Sequence, residues 1–306
     1  MTDENYKYEK MKTYKQKQGD FDTSFKYILN NNESLQFAKE GIIDLKNTAQ
    51  VTLSTQFKKI NSIIVIDNIN KEKIKFTNDH KIKDDNISLN IIKIENNKNG
   101  VKYEYFYSFE NDSCRLFYQV DKKENLFCAM ERKENQPILL RDFPLIGSEN
   151  FHFPFFLDGF KFNPLETRNG LYLNGNIEES IQNRKIIEDA IQLSIKFSKW
   201  LFGQNIDKRY IFANTKIPEP PQKYDKVAID WFIEQQKKWR KELIQCPLLL
   251  DQELTYNQLN KLKLPQFMKE YNEDFFNLIN ELNLSGGILP KDLKDFKIWY
   301  NIMEKA

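Results

Sequence analysis

Between Phe143 and Gly175 the chain reads FPLIGSENFHFPFFLDGFKFNPLETRNGLYLNG. The stretch is crowded with aromatics, and a single arginine, Arg168, stands near its end between Glu166 and Gly170. A guanidinium is permanently charged and offers a planar fork of donors that matches phosphate or carboxylate oxygens. The stretch is therefore either packing with one incidental cation or a device that presents Arg168 to something. An enzyme acting on a phosphorylated ligand would draw on Arg168, Lys161 and His152. No nucleophile–base pair is legible beside them, and His152 lies between Phe151 and Phe153, where it fits an aromatic cluster.

Other chemistry is sparse. The sequence contains no Gly-x-x-x-x-Gly-Lys-Ser/Thr, no Gly-x-Gly-x-x-Gly and no Gly-x-Ser-x-Gly. The 2 histidines and 3 cysteines (Cys114, Cys128, Cys246) make neither a zinc pattern nor an even disulfide framework. Cys114 and Cys128 fall in strand-like runs and are expected as buried small apolar groups. His80, after Asn78-Asp79, is expected in a surface turn, and Asp84-Asp85 in a solvated loop.

The elements that would carry Arg168 are legible from periodicity. DTSFKYI alternates like a short strand. ESLQFAKEGIIDLKNTAQVTLSTQFKKI spaces Leu35, Ala38, Ile42, Leu45, Ala49, Leu53 and Phe57 as one or two helices. NSIIVIDN predicts a strand. From about residue 72 to 133, KIKFTN, ISLNIIKIE, VKYEYFYSFE, CRLFYQVD and LFCAMERK predict successive antiparallel strands separated by turn clusters. Val101, Tyr103, Tyr105 and Tyr107 share one face. Pro144, Pro154 and Pro164 then break any regular element, leaving a structured loop with short extended pieces.

Asn176 with Glu179 three residues on predicts a capped helix start, and the apolar face runs to Gly203. KIPEPPQKY is a stiff linker. Val227, Trp231, Lys238 or Trp239, and Leu243 mark a further helix, stopped at Cys246-Pro247, and FKIWYNIMEKA continues helical. The fold class is α+β: a mostly antiparallel sheet with flanking helices, followed by a helical C-terminal region. The expected divisions are a flexible arm over 1–19, an α+β module over 20–215 and a helical region over 223–306.

With 306 residues, 46 basic and 44 acidic, the net charge is +2 and the signs are interleaved, apart from the locally basic KYEKMKTYKQKQ near the N-terminus. Nucleic-acid binding usually shows as a concentrated basic face, so none is expected. No apolar run approaches the ~20 residues of a membrane helix, and the first residues do not resemble a signal peptide. The expectation is a cytoplasmic protein with no membrane partner.

The stretch 143–175 resembles a segment of large bacterial proteins with a sacsin-like, GHKL-type ATPase domain. The likeness rests on Phe143, Pro144, Leu145, Ile146, Gly147, Glu149, Phe151, Phe153 and Pro154, and on Phe162, Pro164, Glu166, Arg168, Gly170 and Leu173. Flanking pieces follow in the same order: DFDTSFKYIL, GIIDLKNTAQVTLSTQFKKINSIIVIDN and QQKKWRKELIQCPLLL.

In that family the nucleotide loops lie upstream, and none of them is found in this chain. The resemblance therefore implies the region that follows the ATPase lobe, like the middle domain of the ninety-kilodalton heat-shock chaperones. It implies a chain that binds no cofactor alone and is no enzyme by itself. Its partner would be an ATP-binding protein, or a client. Within it, Arg168 would contact the phosphate of ATP held by the partner, with Glu166 orienting it and Gly170 letting the backbone turn. The alternatives are an Arg168–Glu166 ion pair that only closes its own loop, and a stand-alone interaction module with no nucleotide role.

Overall fold

Runs rich in β-branched and aromatic residues, with alternate positions buried, make the first strands. β1 (Ser62–Asp67), β2 (Glu72–Asp84), β3 (Ile87–Asn96), β4 (Gly100–Glu110) and β5 (Cys114–Lys123) form an antiparallel meander. This is a computed structural model, and it describes residues 28–56, 59–124, 126–133, 136–149, 151, 153–213, 223–250, 254–258 and 278. β6 (Leu126–Ala129) folds back on the second half of β5, and β9 (Phe156–Gly159) pairs with its first half. β7 (Leu139–Arg141) lies parallel to β9, and β8 (Phe143–Pro144) closes the far edge. The order of the nine-stranded sheet is β1-β2-β3-β4-β5-β9-β7-β8, with β6 off that path. The architecture is mixed α+β with one dominant, mostly antiparallel sheet.

Contacts divide the chain into two compact units, residues 1–46 and 47–306. In the first, helix α1 (Asn32–Thr55) begins at Asn31, whose Oδ1 accepts from the Ser34 N–H at 2.7 Å. This is the side-chain cap that a helix start needs. Phe37, Ile43 and Leu45 are exposed on this part of the helix.

In the second unit, the last turns of α1 from Thr48 to Thr55 are wholly buried. Their orphan carbonyls find partners in the sheet. Asn78 Nδ2 donates to Leu53 O at 3.1 Å, and Arg115 Nη1 to Thr55 O at 2.8 Å. A cation at this end also suits the helix dipole. Val65, Ile74, Phe76, Ile92, Ile94, Phe106 and Phe156 fill the core on this side of the sheet. The segment expected as one or two helices is thus a single one.

The opposite face carries Leu89, Tyr107, Leu116, Tyr118, Val120 and Leu157, and helix α2 (Glu178–Gly203) covers it. Tyr107 meets Trp200 edge-on at 5.3 Å, and Phe109 meets Phe197 at 5.7 Å. Helix α3 (Lys226–Leu243) adds Ala228, Phe232, Trp239 and Leu243 to the same core. Its N-cap, Asp225, accepts from Ala228 N at 2.9 Å. Phe155 is the hub: fully buried, it touches the rings of Tyr118, Phe153, Phe197, Phe212 and Trp239. A short hairpin, β10 (Pro247–Leu250) with β11 (Tyr256–Gln258), follows α3.

Two local expectations are corrected. Asn176 does not cap α2. The N-cap residue is Ile177, with no side-chain cap, because Asn176 Oδ1 instead accepts from Arg184 Nη2 at 3.1 Å. His80 lies inside β2 rather than in a turn: β2 runs on to Asp84, and His80 Nδ1 bonds Asn90 Oδ1 at 2.9 Å. The arm over 1–19, the DTSFKYI strand apart from Ile28, most of KIPEPPQKY, Phe57 and the FKIWYNIMEKA helix lie outside the described residues. So does His152.

Candidate functional site

Arg168 stands at the tip of a tight hairpin. Pro164 and Leu171 form an isolated antiparallel bridge, Leu165 N donates to Gly170 O at 3.0 Å, and Arg168 N donates to Leu165 O at 2.8 Å. Arg168 itself adopts φ 53°, the left-handed region that a non-glycine residue enters at a cost. Phe162, Leu171 and Leu173 are buried and anchor the hairpin from below.

Its base is gripped by α2. Asn183, fully buried, accepts from Asn163 N and donates to Asn163 O and Tyr172 O, all at 2.8 Å. One side chain thereby satisfies both legs. On the next residue, Arg184 Nη1 donates to Leu173 O and Gly175 O, each at 2.7 Å. These bonds explain how a short loop holds a strained tip: its backbone is fixed by buried side chains of a 26-residue helix.

The tip leans on the end of the sheet. Arg168 Nη2 donates to Arg141 O at 3.2 Å. Gly147, at φ 107°, passes so close to Asn169 that a Cβ there would sit 2.7 Å from Asn169 O. Only glycine tolerates both conditions. Phe143 and Ile146, flanking this contact, are 53% and 46% exposed. Cation and apolar surface are therefore presented side by side.

Beneath lies a charged turn. Asp142, at φ 64°, joins β7 to β8. Its carboxylate pairs with the Arg141 guanidinium, and Lys59 Nζ stands 3.6 Å away. Its carbonyl accepts from Gln56 Nε2 at 2.8 Å, and its N–H points to Asp158 Oδ1 at 3.4 Å. Asp158 is buried, and burial pushes its carboxyl up to about 6, against the pull of Arg115. Lys59, Arg141 and Arg168 thus gather around one turn at the edge of the sheet.

Arg168 pairs with no carboxylate among the described residues. The hairpin is closed by backbone bonds rather than by an Arg168–Glu166 ion pair. Glu166 is exposed on the same turn. Lys161 lies elsewhere, in an open groove of about 640 Å³ with Ser113, Gln182, Lys185 and Asp189. There Ser113 Oγ donates to Asp189 at 3.0 Å, and Lys185 pairs with the same carboxylate at 3.0 Å. Asp189 is therefore already engaged by two donors. The three cysteines are buried, and desolvation pushes Cys114 up to about 12 and Cys246 to about 11. Such thiols are poor nucleophiles. Among the described residues no group of three or more His, Cys, Asp or Glu is placed to hold a metal ion. No described helix is long and apolar enough to cross a membrane.

Asn183, Arg184 and Arg141, which build and border the hairpin, carry no sequence signal of their own. The one clue is that Asn183 and Arg184 are polar residues falling next to the apolar face of a long helix. No protein family model, no curated protein and no solved structure matches this chain.

Proposed function

We propose that this chain is a non-catalytic module of a split sacsin-like, GHKL-type ATPase system, which completes the nucleotide site of an ATP-binding partner through Arg168. The observation that carries this reading is the presentation of Arg168. The residue sits at a strained tip clamped by Asn183, uses one nitrogen on the Arg141 carbonyl, and meets no carboxylate among the described residues. A guanidinium held in this way keeps donors free for phosphate oxygens, and its ordering cost is already met by the fold. The exposed Phe143 and Ile146 beside it supply apolar surface for a docking partner. Glu166, on the same turn, orients the guanidinium once the partner is seated. The resemblance over 143–175 supplies the kind of partner: a protein carrying the nucleotide loops absent here, with any client engaged by the assembled pair.

Co-purification from the native source tests this. A GHKL-type ATP-binding protein should accompany the chain, more tightly with ATP than with ADP. Arg168→Ala should remove the increment due to ATP and leave the remaining affinity. Association indifferent to nucleotide would contradict the proposal and favour a stand-alone interaction module.

A further inference from the structure

The opposite edge of the sheet carries a second, independent feature. β1 pairs only with β2 among the described residues. Asn61 O accepts from Asn78 N in register with that pairing, so the backbone groups of Ile63 and Val65 turn toward β2. By the alternation of an antiparallel ladder, the N–H and C=O of Ser62, Ile64 and Ile66 face outward, unpaired by the sheet.

The side chains sharpen this. Val65 points into the core, while Ile64 and Ile66 are 50% and 59% exposed. Sheet proteins ordinarily blunt such an edge with lysine, proline, a bulge or a covering element. β1, SIIVID, has none of the first three within its regular register, and its one charge, Asp67, is turned inward and bonded to Asn70. The two neighbouring lysines, Lys73 and Lys75, stand in register with Ile66 and Ile64 on β2, one strand in from the edge.

We infer that β1 is a self-pairing edge, joining two copies of this chain through antiparallel β1–β1 addition across a two-fold axis at Val65. Antiparallel pairing of β1 with its own copy is isologous, and because Ile64 and Ile66 flank Val65, a two-fold axis there sets isoleucine against isoleucine. Centred on Val65, Ile64 of one copy lies opposite Ile66 of the other. Both residues have outward backbone groups, so these are hydrogen-bonded pairs, and the four isoleucines form one apolar stripe. Any register that is one residue off would set outward isoleucines against inward side chains. A six-residue strand buries far less than the ~800 Å² per partner of a standard interface, so the dimer is weak and dissociates on dilution.

Sedimentation velocity over a dilution series tests the pairing. The average mass should rise with concentration toward twice that of the chain. Ile64→Lys with Ile66→Lys should raise the dissociation constant about tenfold or more, with the far-ultraviolet circular dichroism unchanged. Hydrogen exchange on the unsubstituted protein gives a readout free of folding effects. The Ile64 and Ile66 amides should slow as concentration rises, and the Ile63 and Val65 amides should not. A monomer at every concentration would overturn self-pairing. A dimer unaffected by the two lysines, or exchange at Ile64 and Ile66 independent of concentration, would overturn it equally.

Discussion

Gly147 packs against Asn169 of the Arg168 hairpin so closely that a β-carbon on it would sit 2.7 Å from the Asn169 carbonyl oxygen. This contact, with the bond from Arg168 to the Arg141 carbonyl, locks the hairpin to the edge of the sheet. The position of the guanidinium is therefore set by glycine packing as much as by its own bond.

Gly147→Ala is accordingly expected to be costly. The added methyl meets Asn169 O, and the backbone conformation disfavours any L side chain. A loss of about 1–3 kcal/mol is expected. Urea denaturation checks it. A variant as stable as wild type would show that the hairpin is free to lift off the sheet.

Asn183→Ala removes the clamp. It strands the Asn163 N–H and the Tyr172 C=O at the hairpin base and leaves the Asn163 C=O only the 3.4 Å bond from Tyr172 N. Each group left unpaired costs ~1–3 kcal/mol, so the variant should lose about 2 kcal/mol or more. Asn183→Asp keeps the acceptor for Asn163 N but turns a buried carboxylate toward the Asn163 and Tyr172 carbonyl oxygens, so it should be no more stable than alanine. Chemical denaturation ranks the three. Equal stability of the aspartate variant and wild type would show that the two carbonyls do not depend on Asn183.

Asp158 sets a pH dependence. Its carboxyl, pushed up to about 6 by burial, titrates near 4 once unfolded. The folded state holds the proton more tightly. The contribution of the protonated group is complete below about 4 and is lost as pH rises through about 6. Relative to Asp158→Asn, wild type should lose on the order of 1–3 kcal/mol between pH 4 and pH 7. Denaturant midpoints of both proteins across that range check it, and parallel profiles would mean that Asp158 is better solvated than its burial implies.

The strands were legible wherever one face is buried. In β3, buried Ile92 and Ile94 alternate with the more exposed Ile91, Lys93 and Glu95, whereas Val101 and Tyr103 of β4 share a face but are exposed. Legibility failed where a tertiary bond overrode a local rule. Asn176 has the right type and spacing for a cap, but Arg184, eight residues on, takes its oxygen. His80 resembles a turn residue among Asn and Asp, but β3 pairs with β2 through and beyond it. Gly170 flagged the turn, whereas the left-handed residue at its tip is Arg168, held there by packing that no local pattern encodes. Asn183 could not be ranked above any other polar residue of α2 until the hairpin was seen beneath it.

The central claim is that Arg168 acts on a phosphate bound by another chain. The most direct measurement is ATP hydrolysis by the GHKL-type protein that the proposal expects to co-purify with this chain, assayed with wild type and with Arg168→Ala at saturating concentrations. Losing one charged hydrogen bond, worth ~1.5–3 kcal/mol, should cut the stimulated rate about 10- to 100-fold while the two chains still associate. Arg168→Lys should recover only part of it, since an ammonium lacks the planar fork. Full stimulation by Arg168→Ala would contradict the claim.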